Sequence, residues 1–268
     1  MRYLPLALVL AACRAAGGPP PPPPPPAASL SGGRTRYEVT EHRHVEQAYQ
    51  DQPIVTDSKM LLELSIGLAE ADSGYSLDVV LDSVTFSGDA TPPPGTVVAA
   101  IGARLRGQFA HNGGGPIILP IDPSNAVLDQ VALGLRDLLP PIPPGGATPG
   151  ARWADSTTFE GRSAGVPITI TTRSTHEAGP WSTFEGTRVL SITSESSYAL
   201  EGAGDRVGQW IGMRGTGVSV ARCLITPRGE VALGTRRDSL HVDVEIGSTG
   251  LTIPVLQVRV DTVRRVLP

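Results

Sequence analysis

A short run of histidine and carboxylate residues is the part of this sequence best suited by composition to hold a metal ion. His42, His44 and Glu46 are spaced by two, so on a β-strand their side chains share one face. Imidazole and carboxylate groups are ordinary zinc ligands. The same spacing is also typical of a solvated strand face, and the surrounding residues are polar. We therefore predict a solvent-facing strand, and no metal or other cofactor is expected.

No linear motif for catalysis occurs in the printed sequence. It contains no Gly-x-Ser-x-Gly elbow, phosphate-binding loop, Gly-x-Gly-x-x-Gly fingerprint or His-Glu-x-x-His pair. The sequence therefore predicts that the protein is not an enzyme. A hydrolase remains an alternative, because a site assembled by folding from residues distant in sequence leaves no linear motif.

The first thirteen residues have the pattern of an export signal. Arg2 supplies a positive charge, residues 3–10 form an apolar run, and Ala11 and Ala12 are small residues placed before Cys13. A basic start, a short apolar run and small residues at a cleavage point are typical of a secretory signal peptide. The run is too short to span a bilayer. We assign residues 1–12 to a signal peptide.

The tetrapeptide Leu10-Ala11-Ala12-Cys13 resembles the lipobox of bacterial lipoproteins. The resemblance implies cleavage before Cys13, a diacylglyceryl thioether on its sulfur, and an acyl group such as palmitate on its amine. Several acyl chains anchor a protein stably, so the implied partner is a membrane and the implied location is the cell envelope. In Gram-negative bacteria Asp after the lipidated Cys retains a lipoprotein on the inner membrane. Arg14 stands there instead, which favours the outer membrane.

The second cysteine offers little chemistry. Cys223 lies in an alternating segment, 218–225, that predicts a strand, and a buried, unreactive thiol is the expected outcome. Two cysteines, of which Cys13 is the predicted lipid attachment site, exclude a disulfide framework and a cysteine-based zinc site. The formal net charge is -4 and the pI is about 5.7, which argues against a nucleic-acid partner.

Composition divides the remaining chain into a tether and a folded part. Residues 13–33 comprise the lipidated cysteine and a Gly/Pro-rich tether with eight consecutive prolines. Polyproline is extended, at about 3.1 Å per residue, so this stretch is expected to act as a spacer. Residues 34–268 are predicted to form a β-rich domain. The Pro/Gly-rich segment 140–151 leaves open a division of this domain into two halves.

Most of the folded part has the two-residue alternation of β-strands. The alternation in residues 59–68 and 75–87 predicts a long hairpin, and a slip in the phase of the second run predicts a bulge near Asp82. Pro227-Arg228-Gly229 predicts a further hairpin turn. In residues 240–246, apolar side chains alternate with His241, Asp243 and Glu245. This alternation predicts an antiparallel sheet with one apolar and one solvated face.

Two segments have helical character. Residues 125–139 carry apolar side chains at helical spacing, and Pro140-Pro141 is expected to end that helix. Residues 97–109 are a weaker candidate whose end alternatively forms a strand. The predicted fold class is mainly β with one or two helices (α+β). The expected architecture is a curved antiparallel sheet or half-barrel with a helix packed on its concave face.

The folded part also carries a resemblance, whose most particular piece is Pro149-Gly150-Ala151-Arg152-Trp153-Ala154-Asp155. With the lipobox and tether, it looks like a group of uncharacterised bacterial envelope lipoproteins. More loosely, its layout is similar to the periplasmic lipoprotein-carrier half-barrels, in which a curved sheet holds acyl chains. The resemblance implies an envelope protein that binds a lipid, another apolar ligand or another envelope protein. The alternatives are a structural or assembly lipoprotein with a filled core, and the hydrolase named above.

Overall fold

The computed structural model describes residues 26–49, 52–72, 74–110, 117–120, 125–135, 142–143, 145–163, 165–206, 208–247 and 250–267. Within these ranges the chain forms eleven β-strands and two α-helices. The strands are β1 (Gly33–Tyr49), β2 (Gln52–Ala71), β3 (Gly74–Gly88), β4 (Arg104–Ala110), β5 (Ile117–Pro120), β6 (Arg152–Ser163), β7 (Val166–Phe184), β8 (Thr187–Arg206), β9 (Gln209–Ile225), β10 (Val231–Ile246) and β11 (Leu251–Val266). The helices are α1 (Pro94–Ala100) and α2 (Ala126–Leu135).

All eleven strands belong to one antiparallel sheet, in the order β5-β4-β3-β2-β1-β11-β10-β9-β8-β7-β6. Strands on both sides of residues 140–151 therefore share a sheet, because β1 pairs with β11 along most of its length. The two edge strands, β5 and β6, approach each other, and α2 contacts both. The sheet is thus strongly curved, with a helix at its seam, and the predicted fold class is confirmed.

Local sequence patterns produce the features that they predicted. The register of the β2–β3 hairpin shifts between Glu63 and Leu64, opposite Ser83 and Leu81, so the unpaired residue of the bulge is Asp82. The turn at residues 227–229 joins β9 to β10, and Gly229 has a φ of 74°, where glycine meets no steric penalty. The bulge and the turn are both confirmed.

The predicted helix forms over the described part of its segment. The side-chain oxygen of Asn125 accepts a hydrogen bond from the Val127 backbone N–H at 2.9 Å, which caps the first turn of α2. The expected stop at Pro140-Pro141 lies outside the described residues. In the 97–109 segment, α1 ends at Ala100 and β4 begins at Arg104, so the end of this segment is a strand.

Helix α2 packs on the concave face of the sheet, which we call the inner face. Its apolar side chains join inward residues of β1 to β4, β10 and β11 in the largest apolar cluster. We call this group the helix-side cluster. Its fully buried large side chains include Leu64, Leu81, Leu105 and Leu128.

The chain before β1 is held against one end of the sheet. Ala28 forms a β-bridge with Ala147, and the Trp181 indole N–H donates to the Pro26 carbonyl at 3.2 Å. The Arg228 guanidinium donates to the Gly32 carbonyl at 3.0 Å. Residues 26–32, which composition assigned to the tether, are therefore packed. The signal peptide and Cys13 lie outside the described residues.

Among the described residues, no helix has both the length and the apolar character needed to cross a membrane.

Candidate ligand-binding site

A continuous row of polar side chains crosses the inner face. Residues paired across an antiparallel sheet point to the same face, so the register traces one row through β6, β7, β8, β9, β10, β11, β1 and β2. In that order its members are Asp155, Ser174, Ser196, Ser219, Asp238, Arg259, Arg43 and Ser58. The neighbouring row adds His176, Ser194, Arg236, Asp261 and Glu41. We call these two sets together the polar belt.

The charged half of the belt is a buried ion network centred on Arg259. Its guanidinium donates to the Asp238 carboxylate at 2.6 and 2.9 Å and lies 3.1 Å from Asp261. The Arg236 side chain donates to the other Asp238 oxygen at 2.7 Å. Glu41 lies 3.9 Å from Arg259. Paired charges of opposite sign are what permits this many ionised groups inside a protein.

The other half of the belt brings a serine, a histidine and an aspartate together. The His176 Nδ1 lies 2.8 Å from the Ser194 hydroxyl, and its Nε2 lies 3.2 Å from an Asp155 oxygen. The Trp153 ring stacks on the imidazole at a centroid distance of 5.2 Å. These residues come from β8, β7 and β6, so no linear motif could have revealed them. The spacing of Trp153 and Asp155 on one strand face was the available indication.

Beyond the belt, toward the turns that join β1 to β2, β8 to β9 and β10 to β11, the inner face becomes apolar. We call this surface the trough. Its half-buried lining residues are Ile211, Met213, Leu240, Val242, Val244, Ile246, Leu251, Ile253, Val255 and Val45. The outward residues between them on β10, namely His241, Asp243 and Glu245, are exposed, as the sequence predicted.

One wall of the trough is fully packed, and the other is not. On β6, β7 and β8 the corresponding inward side chains form a buried cluster that also contacts Leu133 of α2. Its buried members are Phe159, Ile168, Ile170, Tyr198 and Leu200. The trough residues Met213, Leu240 and Val242 pack against this cluster, and the rest of the lining on β10 and β11 is only partly buried. The trough therefore presents apolar surface that the described residues do not cover.

Glycine shapes the floor of the trough on β9. A Cβ at Gly217 would lie 2.4 Å from the Tyr198 ring and 2.7 Å from the Ser239 carbonyl. The Tyr198 ring can lie across the strand only because that side chain is missing. Gly215 is similarly tight, since a Cβ there would lie 2.4 Å from the His241 carbonyl. A side chain at either position would therefore displace its neighbours on the sheet.

His42, His44 and Glu46, the candidate metal ligands of the sequence, lie on the outer, convex face of the sheet. The His44 Nε2 is 3.0 Å from the Glu46 carboxylate, and its Nδ1 is 2.8 Å from Asp57. These two hydrogen bonds raise the pKa of His44 above its usual value, in the order Glu46 and then Asp57. Within the described ranges, no group of three or more His, Cys, Asp or Glu side chains is placed to hold a metal ion.

The thiol of Cys223 faces inward from β9 and packs against the apolar clusters. Burial raises its pKa to about 12, with a backbone hydrogen bond to Ile192 acting in the opposite direction. A thiol this difficult to ionise is a poor nucleophile.

Comparison with known proteins identifies no family. No protein-family model matches the chain, and no characterised protein is detectably similar to it in sequence. Similar solved structures include OmpF from Salmonella typhi in complex with daunomycin, at 9% identity and a TM-score of 0.23, with 88% of this chain and 98% of that chain covered.

Two further solved structures are comparably distant. A loop-deletion mutant of OmpT, an outer membrane protein of Vibrio cholerae, has 8% identity and a TM-score of 0.22 over 88% of this chain and 99% of that chain. A Vibrio parahaemolyticus domain described as an outer membrane lipoprotein-sorting protein has 8% identity and a TM-score of 0.18, covering 85% and 83%. Such low TM-scores do not establish a shared fold.

Proposed function

We propose that this chain is a binding protein of the bacterial cell envelope whose trough holds an acyl chain or another apolar group. The observation that carries the proposal is the partly exposed lining contributed by β10 and β11, which is apolar apart from Gln257. Exposed apolar surface that is concave and contiguous is characteristic of a binding site. Each methylene buried there would contribute about 0.8 kcal/mol, so a medium-length acyl chain can supply micromolar affinity.

Membrane anchoring through Cys13 is the second part of the proposal, and it is supported by the lipobox pattern alone. The packed segment 26–32 would then attach the anchor to the end of the sheet opposite the trough. Growth of the producing bacterium with labelled palmitate tests this part. The wild-type chain should be labelled and the Cys13→Ser chain should not. Equal labelling of both chains would refute it.

Native mass spectrometry of a chain beginning at Arg14, purified gently from a bacterial host, tests the binding proposal. We expect a bound species of lipid mass. A matched pair of variants on β11 locates it. Ile253→Arg places a charge in the trough, whereas Thr252→Arg places the same charge on the exposed outer face.

The first variant should lose the bound mass, and the second should keep it. A wild-type protein that carries no bound mass and takes up no lipid on titration would refute binding. That result would support the alternative of a structural or assembly lipoprotein with a filled core. The helix-side cluster is a filled core of this kind.

A hydrolase is the second candidate, favoured by the Ser194–His176–Asp155 arrangement on the inner face of β6, β7 and β8. Serine hydrolases place a hydroxyl, an imidazole and a carboxylate side by side in this order. Here the His176 Nε2 lies near Asp155 but is buried without a hydrogen-bond partner among the described residues. Labelling with a fluorophosphonate tests it. Reaction at Ser194 that is lost in Ser194→Ala and kept in Ser196→Ala would support catalysis. If the protein is not labelled, the catalytic reading is refuted and Ser194, His176 and Asp155 have a structural role only.

A further inference from the structure

We propose that the ligand of the trough is an anionic amphiphile, a carboxylate on an acyl chain in the simplest case, and that Arg43 binds its head group. The inference rests on the proposed function, since it requires that the trough hold the chain. It adds the chemical class of the ligand and the residue that selects it.

Arg43 stands where the belt meets the trough. It is the belt residue of β1 nearest the apolar lining, and the next inward residue on that strand is Val45. The residues beside Val45 in the same row are Thr56 on β2 and Gln257 on β11, both neutral. An acyl chain lying along the trough would therefore bring its polar end to Arg43 without first passing another charge.

The order of the charges makes this end of the trough cationic. On β1 and β11, the row next to the trough carries Arg43 and Arg259, and their partners Glu41 and Asp261 lie one row farther away. Asp238 also lies in the row next to the trough, but both of its oxygens accept hydrogen bonds from arginines. A head group arriving from the trough meets guanidinium groups before carboxylates on this side, which favours an anion.

Arg43 also retains donor capacity. Its Nη2 donates to Glu41 at 2.5 Å, while its Nε is buried and has no hydrogen-bond partner among the described residues. A buried donor without an acceptor is unfavourable, and a carboxylate oxygen would satisfy it with a charge-assisted bond. The Arg43 side chain is 23% exposed, whereas that of Arg259 is 8% exposed and surrounded by its own carboxylates. Arg43 is therefore the reachable cation.

Displacement of the neutral dye N-phenyl-1-naphthylamine from the trough tests the inference, with dodecanoate and 1-dodecanol as a matched pair that differs only in the head group. The titrations use the chain that begins at Arg14, at about pH 8, where the carboxyl group of dodecanoic acid is ionised. We expect dodecanoate to bind at least about tenfold more tightly than dodecanol. Acetate, which has the head group without the chain, should not displace the dye.

Two substitutions of arginine by glutamine on β1 assign the preference. Arg43→Gln should bring the acid-to-alcohol ratio close to one and leave dodecanol binding unchanged. Arg36→Gln, which removes an exposed charge from the outer face of the same strand, should leave the ratio as in wild type. Circular dichroism confirms folding. If Arg43→Gln does not fold, two other measurements replace it. The ratio of dodecanoate affinity to dodecanol affinity in the wild type should fall as the salt concentration is raised. Arg43→Lys should keep part of the preference for dodecanoate.

The failures of the two proposals are distinguishable. Equal binding of acid and alcohol by the wild type, or an acid preference that survives in Arg43→Gln, would overturn the head-group site while the trough remained a binding site. If neither compound bound and the dye did not bind, the proposed function would fall as well.

Discussion

Replacing Arg259 with methionine removes the cation at the centre of the buried ion network and keeps most of the side-chain volume. In the wild type its guanidinium lies within 4 Å of the three carboxylates of Asp238, Asp261 and Glu41, and its side chain is only 8% exposed. Arg43 and Arg236 remain as partners for Glu41 and Asp238, but the inner face acquires an excess negative charge. Removing one partner of a buried ion pair costs about 3–5 kcal/mol, so we expect a loss of that size in the free energy of unfolding.

The matched control is Arg264→Met on the same strand. Arg264 pairs with Glu185, but its side chain is 58% exposed. An exposed pair of this kind contributes about 1 kcal/mol or less. The comparison therefore isolates burial, because the residue types and the strand are the same in both variants.

Urea unfolding followed by tryptophan fluorescence measures both values from the midpoint and the slope. Adding Asp238→Asn to Arg259→Met should recover part of the loss, because one of the uncompensated carboxylates is then neutral. A loss below about 1 kcal/mol for Arg259→Met, or a loss equal to that of Arg264→Met, would refute the view that these charges are buried and interdependent.

Four further predictions concern individual buried or closely packed residues. Gly217→Ala should lower the free energy of unfolding by about 1–3 kcal/mol, because its Cβ would overlap the Tyr198 ring; Gly67→Ala, whose Cβ has no neighbour closer than 3.5 Å, is the control and should lose much less. Asn125→Ala should cost about 1 kcal/mol through the lost helix cap, and an unchanged urea midpoint would contradict that role. The Cys223 thiol should resist a thiol reagent at about pH 8 in the folded protein and react after urea unfolding, whereas equal rates in both states would contradict its burial. Burial raises the pKa of Tyr37 to about 12 as well as that of Cys223, so both acids are more readily ionised when unfolded. Their contribution to stability should be complete below about pH 9 and lost as the pH rises toward 12, which urea midpoints across that range would show.

Features that depend on neighbouring residues were predictable from the sequence. The bulge at Asp82 follows from a slip in a two-residue alternation, and the turn at residues 227–229 follows from proline and glycine placed between two alternating runs. Helix α2 follows from apolar residues at helical spacing. The curved, mainly β fold with a helix on its inner face is the sum of these patterns. The lipid on Cys13 rests on a pattern of the same local kind and stays a prediction.

The polar belt could not be predicted from the sequence, because its residues are neighbours in space but lie far apart along the chain. Asp238 and Arg259 each look like ordinary solvated residues on an alternating strand. Only the pairing of β10 with β11 shows that they face each other inside the sheet. The same is true of Asp155, His176 and Ser194, which three separate strands bring together.

Sequence by itself therefore determined the mainly β character of the folded part and the position of helix α2, because hydrophobic periodicity and turn residues act over a few positions. Tertiary structure alone decided which polar residues are buried, because strand register aligns residues that lie far apart in the chain. The partly exposed trough beside Arg43 is a product of that register, because strands far apart in the chain supply its lining. No short window of sequence encodes that register.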